Sequence, residues 1–244
     1  MRSSGTYIYR FAGIEVGREI WSIRPEGDTW RYQADVMRNH VRTELHLNTF
    51  TDSARPRNAG IKRTTPDGPT ASADFHFHEN TLHTVYTDRN FLRREAAPRE
   101  WPTEGIFHPF ATCLMTHVLR YAQLNQSEDS DFDCLFISYS GLNLNGKIGK
   151  GRIRRLKSRD FGSVTGLITA QIWEAKFSFR LPMSLQLLPH RLVFDARGIC
   201  HHVSAGPWRV ELVELEVADA QTPLPVRSSR ADPPSSYSVG SPSE

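Results

Sequence analysis

Two closely spaced histidines have residue types and spacing that could do chemistry. The run ADFHFHEN places His76 and His78 two residues apart in an alternating pattern typical of a β-strand. Side chains at positions i and i+2 project from the same face of a strand, so both imidazoles could bind one metal ion. His46, His83 or Glu44 could supply further ligands from neighbouring strands. A metal site is therefore one hypothesis for this stretch.

The same alternation supports a simpler interpretation, in which these histidines lie on the solvated face of a sheet. Polar residues share the face of His76 and His78, whereas the opposite face carries Ala71, Ala73, Phe75 and Phe77. His46 likewise shares its face with charged residues, opposite Leu45 and Leu47. Because two strands independently place their histidines on the polar side, we favour the solvated face. The sequence predicts no metal and no other cofactor.

Two more histidines lie in or beside a segment with helical periodicity. Pro109 can open a helix, and PFATCLMTHVLRYAQL continues it with apolar residues at helical spacing. His117 lies on the apolar face, where a lone histidine is more often structural than catalytic. His108 just precedes the helix, where a neutral imidazole can act as a donor or base. If the protein is an enzyme, His108 and His117 are the predicted acid/base residues.

No serine or carboxylate stands at a spacing that identifies a catalytic triad. Such a triad is recognised by geometry and not by the order of its residues in the chain. His108 and His117 are therefore the preferred acid/base candidates, and a tyrosine or an aspartate stays open as the group that moves a proton.

Aromatic residues are the most distinctive content of the alternating runs. A strongly curved sheet encloses space, and aromatic walls with a few polar tips are typical of small-molecule sites. We therefore predict an apolar or amphipathic small molecule as the partner. The predicted ligand-binding residues are Tyr7, Tyr9, Trp21, Trp30, Tyr32, Phe75, Phe77 and Trp173.

A basic run, GKIGKGRIRRLKSR at residues 146–159, could bind phosphate or nucleic acid. It does not match the P-loop pattern GxxxxGK[ST], and few aromatic residues are interleaved. The net charge of +3 also falls short of that of a typical nucleic-acid-binding protein. We therefore expect a solvated hairpin or a charged edge strand here, and no nucleic-acid partner.

The elements that must position these residues are mostly β-strands. Alternating runs fill the first ninety residues and resume after the helical segment, with turns such as TPDGPT between them. Clean alternation is typical of an antiparallel sheet with one buried face. The predicted fold class is mainly β: a curved antiparallel sheet or lipocalin-like (half-)barrel with one main α-helix across its mouth or concave face.

Length and composition bound the domain organisation and location. A chain of 244 residues, 39% of them hydrophobic, can form one large β-rich domain, which we place at 1–218. Pro and Ser dominate 219–244, which we predict to be a disordered tail. Three cysteines without a CxxC pair favour a reducing compartment. No run approaches the ~20 apolar residues of a membrane span, and no signal peptide is visible, so a cytoplasmic location is expected if Met1 is the native start.

Short motifs spread between about residues 5 and 217 support a family resemblance. Four motifs occur in this order along the chain: the step GIEVG at Gly13–Gly17, the helical segment His108–Arg120, the FRLP run at Phe179–Pro182 and the FDARGI run at Phe194–Ile199. In this order of motifs the chain resembles an uncharacterised bacterial domain family with a curved, lipocalin-like antiparallel sheet. The resemblance implies this fold and an apolar ligand, and it transfers no catalytic residue.

The chain departs from that family in two respects. Members usually carry a secretion signal, and this sequence shows none. The position before the helix-opening proline is commonly acidic there, whereas it is His108 here.

Three functional hypotheses follow. The leading one is an intracellular lipocalin-like protein that binds an apolar or amphipathic small molecule in the concavity of its sheet. The alternative is a cofactor-independent cyclase or isomerase acting on a terpenoid- or polyketide-like substrate in the same cavity. The third is an interaction module that uses the basic hairpin and the Pro/Ser-rich tail.

Overall fold

The computed structural model describes residues 2–87, 92–102, 105–108, 111–137, 142, 144, 146–178 and 188–218. Within these residues the chain forms sixteen β-strands and one α-helix, α1 (Met115–Leu124), which continues a 3-10 turn at Thr112–Leu114. The strands are β1 (Arg2–Phe11), β2 (Ile14–Glu26), β3 (Thr29–Arg38), β4 (Val41–Phe50), β5 (Pro56–Thr64), β6 (Thr70–His78), β7 (Thr81–Thr87), β8 (Arg93–Glu95), β9 (Arg99–Glu100), β10 (Gly105–His108), β11 (Asp129–Phe136), β12 (Lys147–Ser163), β13 (Gly166–Ser178), β14 (His190–Phe194), β15 (Cys200–Ala205) and β16 (Trp208–Ala218).

These strands belong to one long, curved sheet. Its order is β10-β11-β12-β13-β14-β15-β16-β1-β2-β3-β4-β5-β6-β7-β8, with β9 paired to β7 beside this path. The pairs are antiparallel except for β10 and β11, which run parallel. The sheet is not closed, since β10 and β8 at its two ends do not pair within the described residues. The predicted fold class is confirmed.

The two faces of the sheet follow the alternation in the sequence. Phe75 and Phe77 of β6 are buried, whereas His76 and His78 are exposed, as predicted. His46 is half-buried, because its ring packs over Gly60 on the neighbouring strand. The described residues include no group of three or more His, Cys, Asp or Glu side chains placed to hold a metal ion.

The basic run lies mainly in β12, which forms a long hairpin with β13 and is not an edge strand. Its charged side chains are exposed, and several of them pair with carboxylates of neighbouring strands. Lys150 Nζ lies 2.6 Å from Asp133 Oδ1, and Arg154 Nη2 lies 3.1 Å from Glu174 Oε1. The prediction of a solvated hairpin is therefore confirmed.

The helix α1 lies against the inner face of the curved sheet and is buried around most of its circumference. The sequence predicted one apolar face, but a helix that is surrounded by protein buries nearly all of its side chains. Its His117 ring lies 5.7 Å from the ring of Tyr32 on β3, and its Tyr121 ring lies 5.9 Å from that of Phe132 on β11. Because β3 and β11 are far apart in the strand order, the sheet must curve around the helix. The buried residues of α1 are Met115, His117, Val118, Leu119, Tyr121 and Ala122.

A buried carboxylate fixes the start of the helical segment. Glu19 of β2 is 0% exposed, and its Oε2 and Oε1 accept the backbone N–H groups of Thr112 and Cys113, both at 2.8 Å. The Tyr9 hydroxyl donates to Oε2 as well. The first amides of a helical segment lack intrahelical partners, and a negative charge there is favourable. Glu19 therefore attaches the helical segment to the inner face of the sheet.

This contact also corrects the predicted start of the helix. Ala111 has an extended backbone, with φ −88° and ψ 139°, so the described helical segment begins after it, at Thr112. The amides held by Glu19 determine where the helical turns begin.

Three predicted features lie outside the described residues: Pro109, the FRLP run at Phe179–Pro182 and the tail at 219–244. Among the described residues, no helix has the length and apolar character needed to cross a membrane.

We expect Glu19→Gln to lower the free energy of unfolding by about 2 kcal/mol, because hydrogen bonds to a charged group contribute about 1.5–3 kcal/mol. Chemical denaturation monitored by tryptophan fluorescence measures the change. Glu15→Gln, an exposed position on the same strand, is the matched control and should stay within about 0.5 kcal/mol of the wild type. Equal stability of the two variants would contradict the anchoring role of Glu19.

Candidate ligand-binding interior

The inner face of the sheet carries the aromatic residues that the sequence predicted as ligand-binding. Seven of the eight are buried, with exposed fractions between 0% and 8%: Tyr7, Tyr9, Trp21, Tyr32, Phe75, Phe77 and Trp173. Trp30 is half-buried, and the Arg120 guanidinium lies 4.5 Å from the centre of its ring. The structure thus places these side chains around one interior, and their role in binding remains a prediction.

Three of these residues have their polar tips bonded within the protein. The Tyr7 hydroxyl donates to the backbone carbonyl of Cys200 at 2.7 Å. Tyr9 donates to Glu19, and Trp173 Nε1 donates to Gln171 Oε1 at 3.3 Å. The Tyr7 and Tyr9 bonds join neighbouring parts of the sheet and the Trp173 bond lies within β13, so the three tips have their partners inside the protein.

The two phenylalanines of β6 pack where the two halves of the sheet face each other. Phe75 lies 5.3 Å from Phe107 of β10, and Phe77 lies 4.8 Å from Trp101, measured between ring centres. These contacts bring β10, at one end of the sheet, against the strands near the other end. Phe75 and Phe77 therefore help to close the interior.

Trp21 presents a buried polar atom to the interior. Its ring occupies the space above Gly5 of β1, where an added Cβ would lie 3.0 Å from the indole and 2.3 Å from the carbonyl oxygen of Glu214. The indole also stacks on Tyr7 at 5.5 Å. Its Nε1 is buried and has no hydrogen-bond partner within the described part of the chain.

His117 presents two more such atoms. Its side chain is fully buried, and neither Nδ1 nor Nε2 has a hydrogen-bond partner among the described residues. Its ring lies beside Tyr32, which pairs with Ile23, two residues along β2 from Trp21. Trp21 and Tyr32 belong to the same buried cluster on the inner face, so the unpartnered atoms of Trp21 and His117 lie in one interior.

Two further buried histidines, His108 and His190, lie together beside Phe177 of β13. The His108 imidazole stacks on Phe177 with ring centres 4.9 Å apart and an angle of 19° between the planes. His190 approaches the same phenylalanine at 5.5 Å. The sequence did not predict a role for His190, because no alternating pattern around it distinguishes an inward from an outward position.

Burial keeps all three imidazoles neutral. It lowers the pKa of His108 to about 3, with smaller contributions from His190 and His117. It lowers the pKa of His117 to about 3, with a contribution from Arg120, and that of His190 to about 4. A neutral imidazole offers one N–H donor and one acceptor nitrogen. The interior therefore combines aromatic walls with uncharged hydrogen-bonding groups.

The same pKa values bear on the predicted acid/base roles of His108 and His117. General acid–base catalysis is most efficient when the pKa of the group lies near the working pH. A group with a pKa of about 3 carries almost no proton at pH 7 and is a weak base. The surroundings of both histidines suit hydrogen bonding better than proton transfer.

Sequence reasoning also missed Glu19, although a signal was present. Glu19 occupies an inward position in the alternation of β2, between Gly17 and Trp21. A charged residue in the apolar series of a strand indicates a specific buried partner. Its partners, the amides of Thr112 and Cys113, could not be deduced from spacing because they lie about ninety residues away.

We expect the free energy of unfolding to fall as the pH is lowered from 7 to 5. The folded-state pKa of His117 lies below its unfolded value, so the unfolded chain binds more protons in this range and gains stability as the pH falls. Each such group contributes up to about 1.4 kcal/mol per pH unit. His117→Gln should reduce this slope relative to the wild type. An unchanged slope in His117→Gln would contradict a neutral buried imidazole.

Comparison with known proteins identifies the fold and no family. No protein-family model and no curated protein matches the chain significantly. The crystal structure of a β-barrel-like protein of the domain of unknown function DUF1849 from Brucella abortus matches with a TM-score of 0.56 and 10% identity, covering 89% of this chain and 98% of that one. A DUF1089 family protein from Pseudomonas aeruginosa matches with a TM-score of 0.45 and 12% identity, over 75% and 86% of the two chains. At 10% identity the first likeness shows the fold alone, a barrel-like sheet shared with an uncharacterised bacterial domain.

Proposed function

We propose that the protein binds an amphipathic small molecule, mainly apolar with a hydroxyl or carbonyl group, in the interior of its curved sheet. One observation carries this proposal. Trp21 Nε1 and both ring nitrogens of His117 are buried among aromatic side chains without a hydrogen-bond partner in the described part of the chain. A bound hydroxyl or carbonyl group would give these atoms the partners they need.

Buried polar atoms without partners destabilise the unliganded protein. A buried polar group without a partner costs about 1–3 kcal/mol, and native proteins leave few of them. Three of them lie in this interior: Trp21 Nε1, whose ring stacks on Tyr7, and the two ring nitrogens of His117, whose ring lies beside Tyr32. A ligand that bonds to them recovers this free energy on binding, and the aromatic walls favour an apolar body for the rest of the molecule.

The same observations favour binding over the cyclase or isomerase alternative. Proton transfer near neutral pH needs a group that titrates in that range, and burial lowers the pKa of both His108 and His117 to about 3. Hydrogen bonding to a neutral ligand needs only the uncharged imidazole.

A cytoplasmic location belongs to the proposal, and its support is that Cys113, Cys134 and Cys200 are all buried free thiols.

Titration with 1-dodecanol, followed by tryptophan fluorescence and native mass spectrometry, tests the proposal. Trp21→Phe keeps the aromatic surface and removes the N–H group, so the affinity should fall about tenfold if one hydrogen bond of about 1.4 kcal/mol is lost. Trp208→Phe, a half-buried position on β16 beside Phe11, is the matched control and should keep the wild-type affinity.

Two results would overturn this function. One is the absence of any one-to-one dodecanol complex together with no small molecule retained by protein purified from its own host. The other is equal loss of affinity in Trp21→Phe and Trp208→Phe, which would place the probe outside the proposed interior.

A further inference from the structure

Three side chains outside the interior form a connected series between a hairpin and a turn. The Ser163 hydroxyl, at the end of β12, contacts His201 Nδ1 on β15. His201 Nε2 lies 3.2 Å from Oδ2 of Asp195, in the turn between β14 and β15. Serine, histidine and carboxylate linked in this order are the groups of a nucleophilic triad, which is recognised by geometry and roles.

A small apolar cluster brings Ser163 to this position. Ala170 and Ile172 of β13 are buried with Val193 of β14, and the half-buried side chains of Phe161 and Ile168 pack against them. The register of the hairpin shifts between Arg155 and Lys157, and beyond this bulge these apolar residues share one face. The Phe161 ring also lies 5.9 Å from that of His202. The end of the hairpin is thereby held beside β14 and β15.

A β-bulge in β15 sets the orientation of the His201 side chain. Val193 pairs with His202 while Phe194 pairs with Cys200, so His201 is the extra residue of a β-bulge. Bulges redirect a side chain and occur often beside active sites. The His201 side chain is 0% exposed and bridges Ser163 and Asp195. Adjacent histidines diverge in a regular strand, and only the bulge gives His201 this orientation.

Asp195 is held in its ionised form by the turn that contains it. Its Oδ1 accepts the backbone N–H groups of Arg197 and Ile199 at 3.0 and 2.9 Å, and its Oδ2 accepts the Arg197 guanidinium. Burial raises the pKa of this carboxyl, but the contacts from His201, Ile199 and Arg197 outweigh it and keep the pKa below its ordinary value. A negative oxygen beside Nε2 favours the tautomer with its proton there, which leaves Nδ1 to accept the Ser163 proton.

The contact between His201 and Asp195 is within ion-pair distance, but the Nε2–H group is not aligned with the carboxylate oxygen. Catalytic hydrogen bonds are often poorly aligned in unliganded structures and tighten when substrate binds. In the usual triad the serine faces Nε2 of the histidine and the carboxylate faces Nδ1. Here the two nitrogens are exchanged, since Nδ1 of His201 faces the serine.

We propose that Ser163 and His201 are catalytic residues, with Asp195 as the positioning residue, in a site that hydrolyses carboxylic esters. Ser163 Oγ attacks the acyl carbon while His201 Nδ1 takes its proton, and the bond between that carbon and the alcohol oxygen then breaks as His201 returns the proton to that oxygen. A water molecule, deprotonated by the same nitrogen, attacks the acyl-serine, releases the carboxylic acid and restores the Ser163 hydroxyl.

The surroundings of Ser163 indicate the acyl group. Val164 and Leu167, which follow it at the tip of the hairpin, are 51% and 76% exposed. They offer an apolar surface beside the nucleophile and favour an ester with an apolar acyl chain. A two-residue turn leaves the amides of its central residues, Val164 and Thr165, outside the strand ladder. These amides are the proposed donors to the oxyanion.

Reaction with a fluorophosphonate probe, followed by intact mass and peptide mapping, tests this site directly. The wild-type protein should gain one adduct on Ser163 and should hydrolyse p-nitrophenyl butyrate. Ser163→Ala should lose both properties. Ser158→Ala, at an exposed serine of the same strand, is the matched control and should keep both.

The role of His201 is tested by the rate of labelling. His201→Gln should slow the labelling of Ser163 at least 100-fold, since general bases typically contribute 10²–10⁴-fold. Because His201 is buried and this variant could fold poorly, Asp195→Asn provides a second readout, and it should lower the labelling rate. No adduct on Ser163 under conditions that label a reference serine hydrolase would overturn the proposal. Labelling unaffected by both variants would do the same.

Discussion

The buried carboxylate of Glu19 is the contact on which the position of the helix depends, because its two oxygens join β2 to the first amides of the helical segment through two hydrogen bonds. A fully buried charge is stable only when its oxygens are occupied, and here Tyr9 and the amides of Thr112 and Cys113 occupy them. Once this end of the segment is fixed, α1 extends along the inner face and the sheet curves around it.

The position of the helix in turn gives the interior its chemical character. Because α1 carries His117 inward to Tyr32, a polar side chain reaches a region otherwise walled by aromatic rings. The same enclosure brings His108 and His190 around Phe177, and burial lowers the pKa of each imidazole far enough to keep it uncharged. The interior thus offers neutral donors and acceptors in an apolar surrounding, which suits an uncharged amphipathic ligand.

The outer side of the sheet has a separate organisation, built from two bulges. One bulge in β12 puts Phe161 on the face that packs against Val193, and the other in β15 turns His201 toward Ser163 and Asp195. A bulge adds a residue to one strand and so moves later side chains to the opposite face. The proposed ester-hydrolysing site therefore lies at the end of the hairpin, apart from the interior beneath the helix.

The sequence by itself determined the mainly β fold and which residues of each strand face inward. Period-two alternation is a local property, so it predicted the exposed His76 and His78, the buried Phe75 and Phe77, and the solvated basic hairpin. It also predicted buried His117 from helical spacing. Tertiary structure alone decided the start of the helix at Thr112, the neutral histidine group and the meeting of Ser163 with His201. These depend on contacts between residues far apart in the chain and on bulges that interrupt the alternation, and no local spacing encodes either of them.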